Sequence, residues 1–336
     1  MSDKKAKTSL QLKEIAYIVR YPEAIKFAEL QEQVTWKAAE LDVTKDIQDM
    51  RVTRTPAEYH GIVTTLKLFT LYELAAGTDY WLGRFMRMFP RPADMQRMAA
   101  EFGKTELHIH APFYNAINEA LLLNTPAFYE SYLQSPVLSE RMDFIEDVIN
   151  DKEDLVSLGA FSMVEGAILY TNFAYLKHFS VSGKNGLNTV VRGINFSVRD
   201  ENLHSLGGAW AFRKLLAEKE ANGWNKWFTV HNKLQNVGIK IVEHEDEIID
   251  MIFSEGEVSG ITAEELKAFV RHRVDLCLKN LGVDTLYDVT WNPIADWFYK
   301  NINMVQFSDF FVGVGNQYNS NHVKEKFGWR RKDVTV

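Results

Sequence analysis

Arg199-Asp200-Glu201-Asn202-Leu203-His204 is the stretch that decides the fold. Glu201 and His204 stand three apart, so on a helix they share a face and can both reach one cation. Glu106 and His110, four apart, repeat the arrangement upstream. Glu165 stands between the two pairs and Glu73 precedes both, each inside an apolar, helix-periodic segment. In chain order the set reads Glu, Glu with His, Glu, Glu-x-x-His.

The neighbours of the two single carboxylates set the direction in which they point. Phe69, Thr70, Ala76 and Gly77 stand three and four residues from Glu73, and Phe161, Ser162, Ile168 and Leu169 from Glu165. Helix faces of that composition turn inward. A buried carboxylate without a partner is costly and takes up a proton, so it needs a cation. Taken singly, each of these residues is more often a surface Glu or a hydrogen-bonded core His; the ordered set of six is better explained by two metal ions. One Glu from each of two helices and a Glu/His pair from each of two others is the ligand pattern of a ferritin-like di-metal carboxylate bundle. The expected fold class is therefore all-α, a ferritin-like helical bundle with additional outer helices.

His108 competes with His110, but it sits roughly 200° around the helix from Glu106 whereas His110 sits roughly 40° away. His110 is the chosen ligand. Asp79 stands as an alternative to Glu73. His60, His178, His231, His244, His272 and His322 lack matching carboxylates in this pattern and read as structural or exposed.

The chain has 336 residues, 46% of them hydrophobic, ample for a sizeable core. Its net charge of −7 argues against a nucleic-acid surface, which needs a basic patch. Cys277 is the single cysteine, which excludes a disulfide framework and a thiolate metal cluster and points to a reducing compartment. Met1 to Lys7 is polar and lysine-rich with no signal-peptide core behind it. Apolar runs fall well short of the roughly 18 residues that a membrane span needs. The expected location is cytoplasmic.

Thr55-Pro56-Ala57-Glu58 is a strong helix start, and that helix runs through Glu73. A second helical segment runs from about Pro92 past Tyr114, a third from about Asp154 to His178, and a fourth from about Asn188 to Glu218, so that each carries one part of the ligand set. Outer helices are expected from about Trp224 to Phe253 and, after the capping box Thr262 to Glu265, on to about Leu281. Residues 182–186 and 254–256 read as loops. Gly313-Val314-Gly315 is no dinucleotide fingerprint, since the third Gly and the strand-turn-helix unit are missing.

Together these residues resemble the radical-generating small subunit of class I ribonucleotide reductase, over nearly the whole chain. Trp36 to Asp46 resembles the family's Trp-x-x-x-Glu-(Val/Leu)-Asp-(Val/Leu)-(Ser/Thr)-(Lys/Arg)-Asp stretch. Glu165-Gly166 with Phe173 resembles its third-ligand helix, and Arg199 to His204 its most specific motif. Asn292-Pro293-Ile294 and Asp309-Phe310-Phe311, with Tyr318 beyond, resemble its C-terminal region.

The resemblance implies that Tyr114, one turn after His110, is the stable radical, and that Trp36, Asp200 and Tyr318 form an electron and proton relay. Asp200 would bridge His110 and Trp36 by hydrogen bonds, and Phe173 would belong to an apolar pocket shielding the radical. The cofactor implied is two metal ions per chain, Fe/Fe first, with Mn/Fe and Mn/Mn as the other pairings. The activity implied is O₂ activation at the di-metal site to make a tyrosyl radical, passed to a large subunit that reduces ribonucleotides to deoxyribonucleotides. Partners implied are that large subunit, a second copy of the chain in a homodimer, O₂, and a flavodoxin-like or ferredoxin reductant, with no nucleic acid and no membrane. Residues 1–318 would form one domain with an N-terminal arm over 1–20, and 319–336 a flexible tail docking on the large subunit. The rival reading is a ferritin-like di-metal ligand-binding oxidase, which would need a substrate cavity but no relay and no tail.

The sequence departs from the family at three points. One extra residue separates Glu106 from His110, and an inserted residue in a helix makes a π-bulge. Pro112 supports this, because it removes the N–H that would bond the carbonyl of His108; a distorted helix is expected over 106–112. Glu73 stands where many members have Asp. The tail, with Lys324-Glu325-Lys326-Phe327-Gly328-Trp329-Arg330-Arg331, is basic where family tails are often acidic.

Overall fold

Two helix starts written in the sequence form as capping boxes. The Glu58 amide donates to Thr55 Oγ1 at 3.2 Å while the Thr55 amide donates to the Glu58 carboxylate at 2.9 Å, and Thr262 with Glu265 repeats the pair at 3.2 and 2.8 Å. Each box satisfies two N-terminal amides that a helix cannot pair internally. Gly282, at φ +74°, ends the second of these helices in the left-handed conformation that glycine adopts without strain.

A computed structural model of the chain describes residues 10, 17–90, 92–181, 183–300 and 302. In order, the helices are α1 (Pro22–Val34), α2 (Pro56–Leu74), α3 (Met86–Met88), α4 (Ala93–Thr105), α5 (Ala111–Ala120), α6 (Pro126–Leu133), α7 (Pro136–Ile149), α8 (Asp154–Met163), α9 (Tyr170–Lys177), α10 (Asn188–Ala221), α11 (Trp227–Ile252), α12 (Ala263–Leu281) and α13 (Pro293–Phe298). No strand occurs among the described residues, and no helix there is long and apolar enough to cross a membrane.

Several helices join into longer rods through π-helical turns. α2 passes through Ala75–Phe85 into α3, α4 through Glu106–His110 into α5, and α8 through Val164–Ile168 toward α9. The distortion expected over 106–112 is present, as a π turn over Glu106–His110 with Pro112 in the first turn of α5. The turns at 75–85 and 164–168 have no counterpart in the sequence reading.

The α8–α9 rod is the centre of the bundle: every residue from Leu155 to Phe179 is buried. A helix buried on all sides has no solvent face, so its neighbours surround it. α10 packs along α8, α2 along α5, and α1 along α4, while α11 and α12 pair with each other and close over the rod. Gly166 permits that closure, because a Cβ there would collide with Cys277 Sγ on α12 and Ser205 Oγ on α10. The lone cysteine is thus a packing residue against the turn that carries Glu165.

Candidate metal centre

Four rods deliver six side chains to one point in the core. Glu73 comes from the end of α2, Glu106 and His110 from the π turn between α4 and α5, Glu165 from the π turn after α8, and Glu201 and His204 from α10. All six are 0% exposed. His110 Nδ1 lies 2.9 Å from Glu106, 3.1 Å from Glu201 and 3.6 Å from Glu73. His204 Nδ1 lies 2.6 Å from Glu106, 3.6 Å from Glu165 and 3.8 Å from Glu201. By contrast His108 and Asp79, the two competing candidates, are exposed.

The six fall into two groups, Glu73–Glu106–His110–Glu201 and Glu106–Glu165–Glu201–His204, each with ligand atoms within 4.8 Å of one another. Glu106 and Glu201 belong to both, so each can offer one oxygen to either group. Many of these atoms have no hydrogen-bond partner: both oxygens of Glu73 and Glu201, Oε1 of Glu106, Oε2 of Glu165 and both ring nitrogens of His204. Ion-pair distances without hydrogen-bond alignment are what lone pairs aimed at a shared point produce. Two divalent cations would balance four carboxylates and use oxygen and imidazole donors that suit iron and manganese. The residues present fit a di-metal group.

Electrostatics agree with a cluster short of positive charge. Burial and then the Glu106 charge push Glu73 well above the ordinary carboxylate range, and burial with Glu106 and Glu165 does the same to Glu201. Burial opposes the Glu106 charge too, but the two imidazoles overrule it and hold Glu106 low. Against the pull of burial, the carboxylates raise His110 well above its usual value and His204 to about 9.

A second layer of side chains surrounds the six. Trp36 Nε1 donates to Asp200 Oδ2 at 2.8 Å, and His110 Nε2 lies 3.3 Å from the same oxygen. With Asp200 on Nε2, the imidazole carries its proton there and turns Nδ1 toward the carboxylates. Burial works against the Asp200 charge, yet the His110 hydrogen bond and the Arg199 guanidinium keep it low. Tyr114 is fully buried, stacked on Phe69 at 4.1 Å and 7° and tilted against Phe113 at 5.1 Å, with Phe173 behind Phe69 at 5.3 Å. Burial first, and then Glu73, raise the phenol well above its normal value. Tyr318 lies outside the described residues.

Two neighbours went unforeseen. Trp81 Nε1 donates to Glu165 Oε1 at 3.0 Å. Tyr72 is buried with an unpartnered hydroxyl, raised by burial and by Glu165, Glu201, Glu73 and Glu106. Trp81 sits on the long π segment, where the 100° rule assigns no reliable face. Tyr72 directly precedes Glu73, and adjacent helix positions are not expected to share a face.

The family model described as "Ribonucleotide reductase, small chain" matches residues 16–293. Protein 048L of Invertebrate iridescent virus 3, named as a ribonucleoside-diphosphate reductase small subunit, is 23% identical over 322 residues, covering 89% of this chain and 82% of its own. A Streptococcus sanguinis dimanganese(II) NrdF structure superposes with a TM-score of 0.70 at 20% identity, over 85% of this chain and 98% of that one. The ribonucleotide reductase R2 subunit from Clostridium botulinum superposes with a TM-score of 0.71 at 18% identity, over 83% and 88%.

Proposed function

Because the chain belongs to the ribonucleotide reductase small-chain family, we propose that its buried cluster is the di-metal site of the radical-generating subunit, with Tyr114 as the radical residue. The protein is the small subunit of a class I ribonucleoside-diphosphate reductase, and its family carries with it a large-subunit partner and a dimer. The family match sets aside the ligand-binding oxidase reading.

One observation carries the site assignment: two four-residue ligand groups that share Glu106 and Glu201. Glu73 and His110 would hold one ion, Glu165 and His204 the other. When bound, the pair of ions supplies the oxidising power, with O₂, for a one-electron oxidation of tyrosine. The chain's own residues do the rest. Burial keeps the Tyr114 hydroxyl protonated, so its oxidation to a neutral radical must release the proton as well as the electron. Phe69, Phe113 and Phe173 exclude water from the ring. Asp200, hydrogen-bonded to both His110 and Trp36, joins the cluster to the Trp36 ring, whose centroid is 6.1 Å from that of His110. Trp36, Asp200 and Tyr318 would then carry the oxidising equivalent toward the large subunit, on which residues 319–336 would dock.

The metal pair is Fe/Fe or a manganese-containing pair; the donor set suits both, and the Streptococcus sanguinis relative is described as dimanganese(II). The reductant that resets the site would be a flavodoxin-like or ferredoxin protein. The test is to load the anaerobic metal-free protein with Fe(II), Mn(II) or both, admit O₂, and record metal counts and EPR spectra for the wild type and Tyr114→Phe. A tyrosyl signal absent from the variant, with two ions per chain, is the expected result. Two ions without any organic radical would overturn the Tyr114 assignment, and no bound metal would overturn the site.

A further inference from the structure

Two buried arginines, each 1% exposed, reach the π turn that carries Glu165. Arg141 Nη2 donates to the carbonyl of Ile168 at 3.2 Å, and its Nη1 lies 3.2 Å from buried Glu245. That is a compensated charge. Arg273 is different. Its Nε donates to the carbonyl of Gly166 at 2.8 Å, its Nη1 to the Tyr299 hydroxyl at 3.0 Å, and its guanidinium lies 3.7 Å from the centre of the Tyr170 ring. Burial works against its charge, while Tyr170, Tyr299 and Cys277 act in its favour and hold it protonated; its hydrogen-bond acceptors are a carbonyl and a hydroxyl, neither of them a carboxylate.

A guanidinium buried without a counter-charge is expensive, and a cation–π contact offsets only part of the cost. An apolar side chain would fill such a space more cheaply. What the position uses is therefore the fixed fork of donors that only Arg offers. One prong holds Gly166, the residue after Glu165. The other holds Tyr299, the residue that ends α13. α13 is tied to the same rod a second time, since Lys177, the last residue of α9, donates to the carbonyls of Phe298 and Lys300. The π turn at 164–168 is an element with a neighbouring alternative, because shifting its hydrogen bonds from i→i+5 to i→i+4 moves the carbonyl of Gly166 and the side chain of Glu165 together.

We propose that Arg273 is a positioning residue for Glu165 that couples the ligand to the place of α13. The chain runs on from α13 into the segment that bears Tyr318, so a large subunit that grips that segment displaces Tyr299. Arg273 carries the displacement to Gly166, and the Glu165 carboxylate follows. The metal site thereby registers whether the large subunit is engaged. This inference rests on the reading of Glu165 as a ligand and of the C-terminal tail as the docking segment.

The test is amide hydrogen exchange over 164–168, with the other ligand turn, 106–110, as internal control, in wild type, Tyr299→Phe and Arg273→Lys. Each is measured metal-free and Mn(II)-loaded, with and without the large subunit, alongside the Mn(II) EPR spectrum. Tyr299→Phe removes one hydrogen bond and should speed exchange at 164–168 roughly five-fold while leaving 106–110 unchanged. Arg273→Lys, with one prong, should do the same and alter the Mn(II) spectrum. The large subunit should change protection at 164–168 in wild type and not in Tyr299→Phe. Equal exchange at 164–168 in all three proteins, or an equal response to the large subunit, overturns the proposal. Failure of the wild type to bind Mn(II) would sink the ligand reading instead, and the metal-free exchange contrast would still decide the role of Arg273.

Discussion

Removing the ring of Phe69 tests whether the aromatic stack protects Tyr114. Phe69 is 0% exposed, lies face to face with Tyr114 at 4.1 Å, and backs onto Phe173 at 5.3 Å. Phe69→Ala should cost about 4 kcal/mol, the loss of transfer energy plus an unfilled cavity, of which the stacking geometry contributes about 1 kcal/mol. Unfolding entropy near 2.1 cal/mol/K per residue gives a 336-residue chain about 0.7 kcal/mol/K, so the melting midpoint should fall by about 6 °C. A purely apolar cavity would stay dry, but this one opens beside the unpartnered Tyr114 hydroxyl and the Glu73 carboxylate, which give a water the polar partners it needs. Calorimetry of the metal-loaded protein and EPR decay of the radical read the two effects separately. Phe69→Leu should recover part of the stability and keep the radical lifetime near wild type. The reasoning fails if Phe69→Ala melts within about 1 °C of wild type and its radical decays at the wild-type rate.

Asp200→Asn keeps the acceptor for Trp36 but removes the anion from His110; metal affinity should fall about 10- to 100-fold, as read by competition with a chelator. Metal-free protein should lose stability as pH rises from about 5 to about 9, seen as a falling melting temperature. The folded state holds Glu73 and Glu201 above their unfolded values and His204 up to about 9, so it binds more protons than the unfolded chain across that window, and the proton-linked stability disappears as pH climbs through the folded values. Mn(II) should reverse the slope, because binding displaces those protons; a flat metal-free profile would contradict the buried-carboxylate account. Arg141→Met strands Glu245, a carboxyl that burial already pushes up to about 7, and should cost about 3–5 kcal/mol in urea denaturation. The double change Arg141→Met with Glu245→Leu should be milder than the single one.

Much of this fold was legible because its candidate ligand residues obey helix spacing. Glu201 and His204 share a face for the simplest geometric reason, and the capping boxes at Thr55 and Thr262 fixed where two rods begin. The π turn at 106–110 could be read only against the family the sequence resembles, in which the Glu and His stand three apart, so that one residue is surplus here, with Pro112 beside it. Nothing comparable announces the turns at 75–85 and 164–168: a single Glu has no partner against which an inserted residue can be counted. Trp81 was missed for the same reason, as its face is set by a helix wound other than at 3.6 residues per turn, while Tyr72 was missed because neighbouring positions on a regular helix are not expected to point to one site. Arg273 was illegible on other grounds. Its meaning lies in contacts with Gly166 and Tyr299, distant in sequence, and a lone Arg on a helix reads as a surface charge.

Of the four rods that meet at the cluster, only α10 is regular throughout; the other three present their ligands in or beside widened turns. α10 therefore works as a fixed rail against which the rest is adjusted. A wide turn can exchange one hydrogen-bond register for another within its own few residues, so a carboxylate on it can advance or retreat while the packed lengths of helix on either side stay still. That freedom sets the tolerance of the site. Ions of unequal radius, or the same ion in two oxidation states, would be followed by the backbone at Glu73, Glu106 and Glu165 with the core undisturbed, whereas Glu201 and His204 would answer through side-chain rotation alone.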